Sequence, residues 1–191
     1  MKNAIIIHGM PDREEHYKVD GEANSNKHWL PWLQHELILK DILAQTPEMP
    51  LPFRPVYEDW EEVFRQFDLH EETMLIGHSC GAGFLIRYLS ENNINVGRVA
   101  LVAPWIDPDH TLDTGFFDFQ IDSSLLQRTK GLKVFYSTDD SHEITDGVKI
   151  LREKLVGATF QEFHDKGHFC FEDLHSHEFP ELRDYLLFNQ A

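Results

Sequence analysis

The stretch that decides the fold is Thr73-Met74-Leu75-Ile76-Gly77-His78-Ser79-Cys80-Gly81, followed by residues 82–90. Its first four residues form a short apolar run, which is typical of a strand buried on both faces of a parallel sheet. Residues 82–90 carry Leu85, Tyr88 and Leu89 at helical spacing. A Gly-x-Ser-x-Gly pentapeptide between a buried strand and a helix predicts a sharp, strained turn that presents the serine hydroxyl as a nucleophile.

Steric constraints explain why this pentapeptide has glycine at positions 77 and 81. Side chains at positions 77 and 81 would collide with the neighbouring strand and helix, and the helix N-terminus directs N–H groups at the place where negative charge develops. A strand–helix turn without chemistry is the alternative. A phosphate-binding loop fits less well, because the stretch lacks the Gly-Lys-Ser/Thr ending of a P-loop and is not Gly-x-Gly-x-x-Gly.

Short apolar strands alternate with amphipathic helices along the rest of the chain. The pattern predicts strands at residues 4–7, 41–46, 73–76, 98–102, 133–136 and 159–163, and helices at residues 29–39, 58–67, 82–90, 144–156 and 178–188. This alternation predicts an α/β fold, a doubly wound and mostly parallel sheet of about six strands with helices on both faces. Without a linker or repeat, one domain over residues 1–191 is expected. Residues 10–28 are polar and form a loop long enough to be functional.

The balance of charge argues against several classes of partner. The chain has 191 residues and a formal net charge of −16, and its Lys and Arg residues form no cluster. Nucleic acids and anionic membrane surfaces bind clusters of positive charge, so neither is expected as a partner. The apolar run at residues 4–7 is too short for a signal peptide, and no stretch approaches the roughly 20 residues of a membrane span. Cys80 and Cys170 are too few for a disulfide framework, so a cytoplasmic protein is expected.

A serine nucleophile needs a general base, and the base needs a carboxylate to orient it. In α/β-hydrolases the partners follow the nucleophile in the order acid, then His, each after a strand. Here the fifth strand runs into Asp139 and Asp140, which spacing alone does not separate, and the sixth runs into His164 and His168. His168 is preferred, because it follows a glycine in a turn that can bring the ring onto the serine. Two fallback acids follow the fourth strand, Asp109 and Asp113.

Two backbone N–H groups are expected to bind the developing oxyanion. One belongs to Cys80, the residue after the nucleophile, and the other to Met10 or Gly9, in the loop after the first strand. His8 lies at the end of that strand. We expect it to hydrogen-bond the loop rather than to act as a base.

Two groups of side chains each have two interpretations. Trp105, Phe116 and Phe117 follow the fourth strand, where they could form a pocket for an acyl group or simply cap the core. His164 and His168 have the i, i+4 spacing of a zinc pair, but the intervening glycine and the loop setting argue against it. We therefore expect neither a metal nor another cofactor.

Together these residues resemble a family of small serine hydrolases typified by retinoblastoma-binding protein 9 and its bacterial relatives. The matching segments are Ile6-Ile7-His8-Gly9, Trp29-Leu30-Pro31-Trp32-Leu33, Asp59-Trp60, Gly77-His78-Ser79-Cys80-Gly81, Ser137-Thr138-Asp139-Asp140 and Gly167-His168-Phe169. The resemblance implies an α/β-hydrolase fold that largely lacks a lid domain, with Ser79 as nucleophile, Asp140 as acid and His168 as base. Residues 11–28 are longer than the usual first loop of the family and could partly cover the site.

The expected activity is hydrolysis of a small carboxylic ester, or a related acyl substrate, through a Ser-His-Asp triad and an acyl-enzyme. The partner is then a small molecule. Two other interpretations use the same residues. One is a hydrolase fold that serves mainly as a protein-binding module, and the other is a peptidase or amidase.

Overall fold

The computed structural model describes residues 1–188, and a six-stranded sheet lies at its centre. All neighbouring strands pair in parallel, in the order β2-β1-β3-β4-β5-β6. Along the chain the strands are β1 (Asn3–Ile7), β2 (Leu43–Gln45), β3 (Met74–His78), β4 (Val99–Val102), β5 (Leu132–Ser137) and β6 (Thr159–Phe163). The sequence predicted each of them to within a few residues, and the parallel α/β sheet is confirmed.

Within residues 1–188, five α-helices of eight or more residues connect or follow these strands, and two single-turn α-helices lie in loops. In chain order they are α1 (Arg13–His16), α2 (Leu30–Ile38), α3 (Tyr57–Phe64), α4 (Cys80–Glu91), α5 (His142–Lys154), α6 (Phe171–Leu174) and α7 (Pro180–Leu187). The five longer ones were predicted. The short α1 and α6 were missed, because four residues are too few to show a helical period.

The order of the strands fixes where a ligand can bind. The chain leaves β1 for β2 on one side and returns to β3 on the other, so the direction of winding reverses at β1. Ligands of open parallel sheets bind at the carboxyl ends of the strands beside such a switch point. Ile7 pairs with Gly77, which brings the loop after β1 next to the loop after β3. The predicted nucleophile lies in the second of these loops.

The core consists of the buried strands and aromatic side chains of the helices. Trp60 and Phe84 bring α3 against α4, with ring centroids 5.6 Å apart. Trp29 and Phe179 flank α2 and α7, which contact each other, and their ring centroids are 6.0 Å apart. Across residues 1–188, no helix combines the length and the apolar character needed to span a membrane.

Candidate active site

Ser79 occupies the turn between β3 and α4 in a conformation that few residues adopt. Its φ of 53° and ψ of −119° lie outside the regions favoured by residues other than glycine. The turn is held by its backbone: Ser79 N–H donates to the Val102 carbonyl at 2.9 Å. The Ser79 carbonyl accepts from Ala82, Gly83 and Trp105 at 3.0 to 3.1 Å. The strained turn that the pentapeptide predicted is therefore present.

The glycines around Ser79 allow backbone segments to approach one another closely. A Cβ atom on Gly81 would lie 2.4 Å from the carbonyl oxygen of His8, and one on Gly77 would lie 2.5 Å from Cα of Ala82. Neither can be accommodated without moving backbone. Gly9 lies on the other side of the serine, where an added Cβ would be 3.1 Å from Cβ of Ser79.

An aspartate and a histidine from neighbouring loops form a direct pair. The Asp140 carboxylate accepts from Nδ1–H of His168, with Nδ1 2.9 Å from Oδ2 and 3.1 Å from Oδ1. The Asp140 side chain is only 4% exposed and that of His168 32%, so the pair is shielded from solvent at Asp140 and open to it at His168. The backbone N–H of His168 donates to Oδ2 of Asp173 at 2.9 Å. This arrangement leaves Nε2 of His168 as the ring nitrogen that can take up a proton.

Asp139, the alternative acid, has a different set of contacts. Its carboxylate accepts from the Ser137 hydroxyl in a short hydrogen bond and from Gly167 N–H at 3.1 Å. The Ser137 hydroxyl bond is the main reason why the pKa of Asp139 is lowered. Asp139 therefore ties the loop after β5 to the loop after β6, whereas Asp140 is the residue that contacts His168.

The remaining alternatives lie apart from this pair. His164 is exposed, and its Nδ1 is 3.0 Å from the hydroxyl oxygen of Thr138. The fallback acids form exposed ion pairs of their own: Asp109 is 3.2 Å from Nε2 of His142, and Asp113 is 3.1 Å from Nη2 of Arg54.

Ser79 and His168 line one cavity of about 340 Å³ at the carboxyl ends of the strands. Gly9 and Met10, which were predicted to supply an oxyanion N–H, also form part of its wall. Cys80 is fully buried and begins α4, where the first N–H groups of a helix have no acceptor within the helix. Most of the other lining side chains are polar or charged: His8, Glu15, Asn24, Lys27, His28, His78 and Glu172.

The long loop at residues 11–28 forms one side of this cavity. Glu48 fixes it from the segment after β2, because its carboxylate accepts from Asn24 Nδ2–H and from Ser25 N–H, each at 2.8 Å. Lys27 Nζ pairs with Glu15 within the loop. The sequence indicated that this loop could cover the site, but it gave no sign of Glu48, which contacts the loop from more than 20 residues away.

His8 has both ring nitrogens engaged. Nδ1–H donates to the Gly9 carbonyl at 2.7 Å, and Nε2 accepts from Met49 N–H at 2.9 Å. Burial lowers the pKa of His8, because the charged imidazolium is poorly solvated there. His8 thus anchors the chain rather than facing the serine as a base, as expected from its position at a strand end.

The side chains considered for an acyl pocket lie in the core instead. Phe116 is fully buried, and Trp105 and Phe117 are at most 8% exposed. A Cβ on Gly83 would touch both the Trp105 carbonyl and the Phe117 ring, so these residues pack against α4. They are not among the described residues that line the cavity beside Ser79. Of the two interpretations, core packing is the one that describes the position of these three side chains.

One trio of potential metal ligands lies in the cavity wall, formed by His28, Cys170 and Glu172, whose donor atoms are within 4.8 Å of one another. Nδ1 of His28 accepts from Phe171 N–H at 3.1 Å, so the other nitrogen of the neutral ring carries the proton. Burial and nearby carboxylates raise the pKa of the Cys170 thiol to about 12. In this arrangement the His28 Nδ1 accepts from the backbone and the Cys170 thiol is protonated.

The fold and this geometry agree with relationships to known proteins. A profile of the serine hydrolase family matches residues 17–187. The chain belongs to the serine hydrolase family. YdeN of Bacillus subtilis, a protein named as a hydrolase, is 30% identical over 182 residues, which cover 90% of this chain and 88% of YdeN. The family expected from the sequence is thus confirmed.

Solved structures of other proteins have the same fold as this serine hydrolase. The crystal structure of the B. subtilis ydeN gene product superposes with a TM-score of 0.80 at 28% identity, covering 97% of each chain. Est1E from Butyrivibrio proteoclasticus has a TM-score of 0.64 at 12% identity and covers 97% of this chain and 87% of its own. A monoacylglycerol lipase from Paleococcus ferrophilus has a TM-score of 0.64 at 14% identity, covering 96% and 93%. The last two share the α/β-hydrolase fold.

Proposed function

We propose that this serine hydrolase cleaves small carboxylic esters, with Ser79 as nucleophile, His168 as general base and Asp140 as the acid that orients the base. The observation that carries the proposal is the hydrogen bond from Nδ1–H of His168 to the buried Asp140 carboxylate, because His168 lines the same cavity as Ser79. A carboxylate at Nδ1 holds the proton there and leaves Nε2 basic, which is what a serine nucleophile requires.

The proposed reaction has two acyl-transfer steps. Ser79 Oγ attacks the ester carbonyl while Nε2 of His168 takes the hydroxyl proton, and the resulting oxyanion accepts from the N–H of Cys80 and from that of Met10 or Gly9. The imidazolium then protonates the leaving alcohol as the carbon–oxygen bond breaks, giving an acyl-enzyme. Water attacks this ester, His168 takes its proton, and the acid product and free Ser79 result.

The cavity favours a short and polar substrate. Its volume of about 340 Å³ is at the small end of the range for small-molecule sites. Its described wall includes Glu15, Lys27 and Glu172, and each apolar group brought against these side chains would cost them solvation. We therefore expect acetate and propionate esters to be better substrates than octanoate esters.

The test is hydrolysis of p-nitrophenyl acetate by the parent, by Ser79→Ala and by Ser176→Ala, a matched change at a partly exposed serine between α6 and α7. Ser79→Ala should lower kcat by at least about 1000-fold, whereas Ser176→Ala should leave it unchanged. A fluorophosphonate probe should label the parent and Ser176→Ala, but not Ser79→Ala.

Undiminished turnover by Ser79→Ala would exclude this mechanism. A folded parent that neither labels nor turns over would instead favour the protein-binding interpretation, and faster cleavage of anilides than of matched esters would favour an amidase.

The cytoplasm is proposed as the location. The support is that both cysteines are free thiols, which matches a reducing compartment.

A further inference from the structure

His78 is a buried titratable residue in the site that the proposed reaction does not use. It is 3% exposed, and it is the second residue of the pentapeptide, directly before Ser79. Its ring centroid lies 5.1 Å from that of His168. Trp29 and His28 make edge contacts with the same ring, at centroid distances of 5.7 and 5.8 Å. The side chain is thus enclosed between the nucleophile's strand and the loop that carries the base.

One hydrogen bond connects His78 to that loop. Nε2 of His78 lies 2.8 Å from the carbonyl oxygen of His168, and a carbonyl can only accept, so Nε2 carries the proton. Burial and the neighbouring histidine rings keep the pKa of His78 well below its ordinary value. The ring is therefore a neutral Nε2–H donor, and it adds no positive charge beside His168 when His168 takes up a proton.

The loop that carries His168 is sharply turned, and three hydrogen bonds hold His168 in it. Gly167 and Phe169, on either side of His168, both have positive φ values, of 45° and 60°. The backbone is thus sharply turned on both sides of the base, in an irregular loop between β6 and α6. Asp173 holds the N–H of His168, His78 holds its carbonyl, and Asp140 holds its ring. Of these three, only His78 is adjacent to the nucleophile in the chain.

We propose that His78 is a positioning residue: by donating Nε2–H to the carbonyl of His168, it fixes the distance between the base and Ser79. Asp140 sets the tautomer and the plane of the imidazole, but it comes from the loop after β5. His78 connects the base to the strand that ends in the serine itself. Removing the donor leaves the ring of His168 paired with Asp140 and its N–H with Asp173, but frees its carbonyl, so the residue can shift away from Oγ. This inference rests on the proposed function.

The experiment compares His78→Leu, which removes the donor and keeps the bulk, with His78→Gln, whose amide N–H reaches about as far as Nε2. Misplacement of a catalytic group by about 1 Å can cost on the order of 100-fold in rate. We expect His78→Leu to lower kcat for p-nitrophenyl acetate by roughly 10- to 100-fold with KM nearly unchanged, and to slow fluorophosphonate labelling of Ser79 in parallel. His78→Gln should recover most of this loss. His142→Leu, on the exposed start of α5, is the control for a histidine replacement.

Three outcomes would each overturn the positioning role of His78. A folded His78→Leu variant with parental kcat, or a His78→Gln variant no faster than His78→Leu, would overturn the positioning role. Should His78→Leu not fold, His78→Asn replaces it, because its shorter amide does not reach the carbonyl, and equal kcat for the Asn and Gln variants would then overturn it. Failure of the proposed function is seen separately, as turnover that survives Ser79→Ala.

Discussion

Asp140 and His168 are 28 positions apart in the chain, yet Oδ2 of the first lies 2.9 Å from Nδ1 of the second. Their contact follows from the register of two neighbouring strands. Ser137 at the end of β5 pairs with Phe163 at the end of β6, so the loops that follow start side by side. Each loop then needs only a few residues to bring its side chain to the edge where Ser79 lies. The register of the sheet therefore brings Asp140 and His168 near each other, and the loop conformations determine their final contact.

Replacing Asp140 should lower kcat and leave stability nearly unchanged, whereas replacing Asp139 should mainly lower stability. Asp140→Asn keeps the shape but lets the amide favour the wrong tautomer of His168, so kcat for p-nitrophenyl acetate should fall on the order of 10³- to 10⁴-fold with the thermal midpoint nearly unchanged. Asp139→Asn weakens the contacts to Ser137 and Gly167, so it should lower the midpoint and leave kcat within about tenfold of the parent. A larger loss of kcat in Asp139→Asn than in Asp140→Asn would assign the acid to Asp139.

The two histidines of the same loop can be separated in the same way. His168→Gln removes the proposed general base and should lower kcat by at least about 1000-fold. His164→Gln changes an exposed ring near Thr138 and should leave kcat and KM at parental values. Steady-state kinetics of the two purified variants measure this. Activity that depends on His164 and survives loss of His168 would contradict the assignment of the base.

The fold could be predicted because it depends on patterns that are local in the chain. The run at residues 73–76, the pentapeptide and the helix after it are contiguous, and each strand is a short apolar run between polar segments. That Asp140 and His168 lie beside each other at the carboxyl edge of the sheet was predictable for the same reason, since each follows a strand. The choice between Asp139 and Asp140 was not, because adjacent side chains point in different directions and their contacts depend on the loop conformation.

Contacts between distant loops could not be predicted. The hydrogen bond from Phe171 N–H to His28 joins residues 143 positions apart, and the bond from His78 to the carbonyl of His168 spans 90. Neither has a periodic signal. Trp105 and Phe117 were ambiguous because an aromatic side chain after a strand fits a pocket or a core equally well. Because position 83 is a glycine, α4 can approach Trp105 and Phe117 closely, and these side chains therefore pack in the core.

Two helical glycines test the steric basis of the turn. Gly81→Ala places a Cβ 2.4 Å from the His8 carbonyl oxygen and 2.5 Å from that of Ile7, both backbone atoms of the adjacent strand end. We expect it to lose at least about 3 kcal/mol in the free energy of unfolding, or to fail to accumulate as folded protein. In α5, Gly147→Ala meets the flexible side chain of Ile106 at 3.3 Å, and alanine favours the helix.

Gly147→Ala should therefore stay within about 1 kcal/mol of the parent. Urea unfolding of both variants, followed by circular dichroism, measures the difference. Equal stability of Gly81→Ala and the parent would show that the segments at Ser79 are not packed as tightly as the distances require.

Acid sensitivity of the folded state should depend on the buried histidines. Burial lowers the pKa values of His8, His28 and His78 from the ordinary histidine value of 6.5, so each is neutral when folded at a pH where the unfolded chain is already protonated. Their contribution to stability is thus fully present above about pH 6.5 and is lost as the pH falls toward the lowered values. Each can account for a slope of at most about 1.4 kcal/mol per pH unit.

Replacing His78 by Gln removes one such group while keeping a donor for the His168 carbonyl. The free energy of unfolding of His78→Gln should therefore decrease less between pH 7 and pH 5 than that of the parent, by on the order of 1 kcal/mol. His142→Gln, at the exposed start of α5, should follow the parental profile. Urea titrations at half-unit pH intervals give the three slopes. A His78→Gln slope equal to the parental one would mean that His78 takes up its proton in the folded state as readily as in the unfolded chain, against the burial that surrounds it.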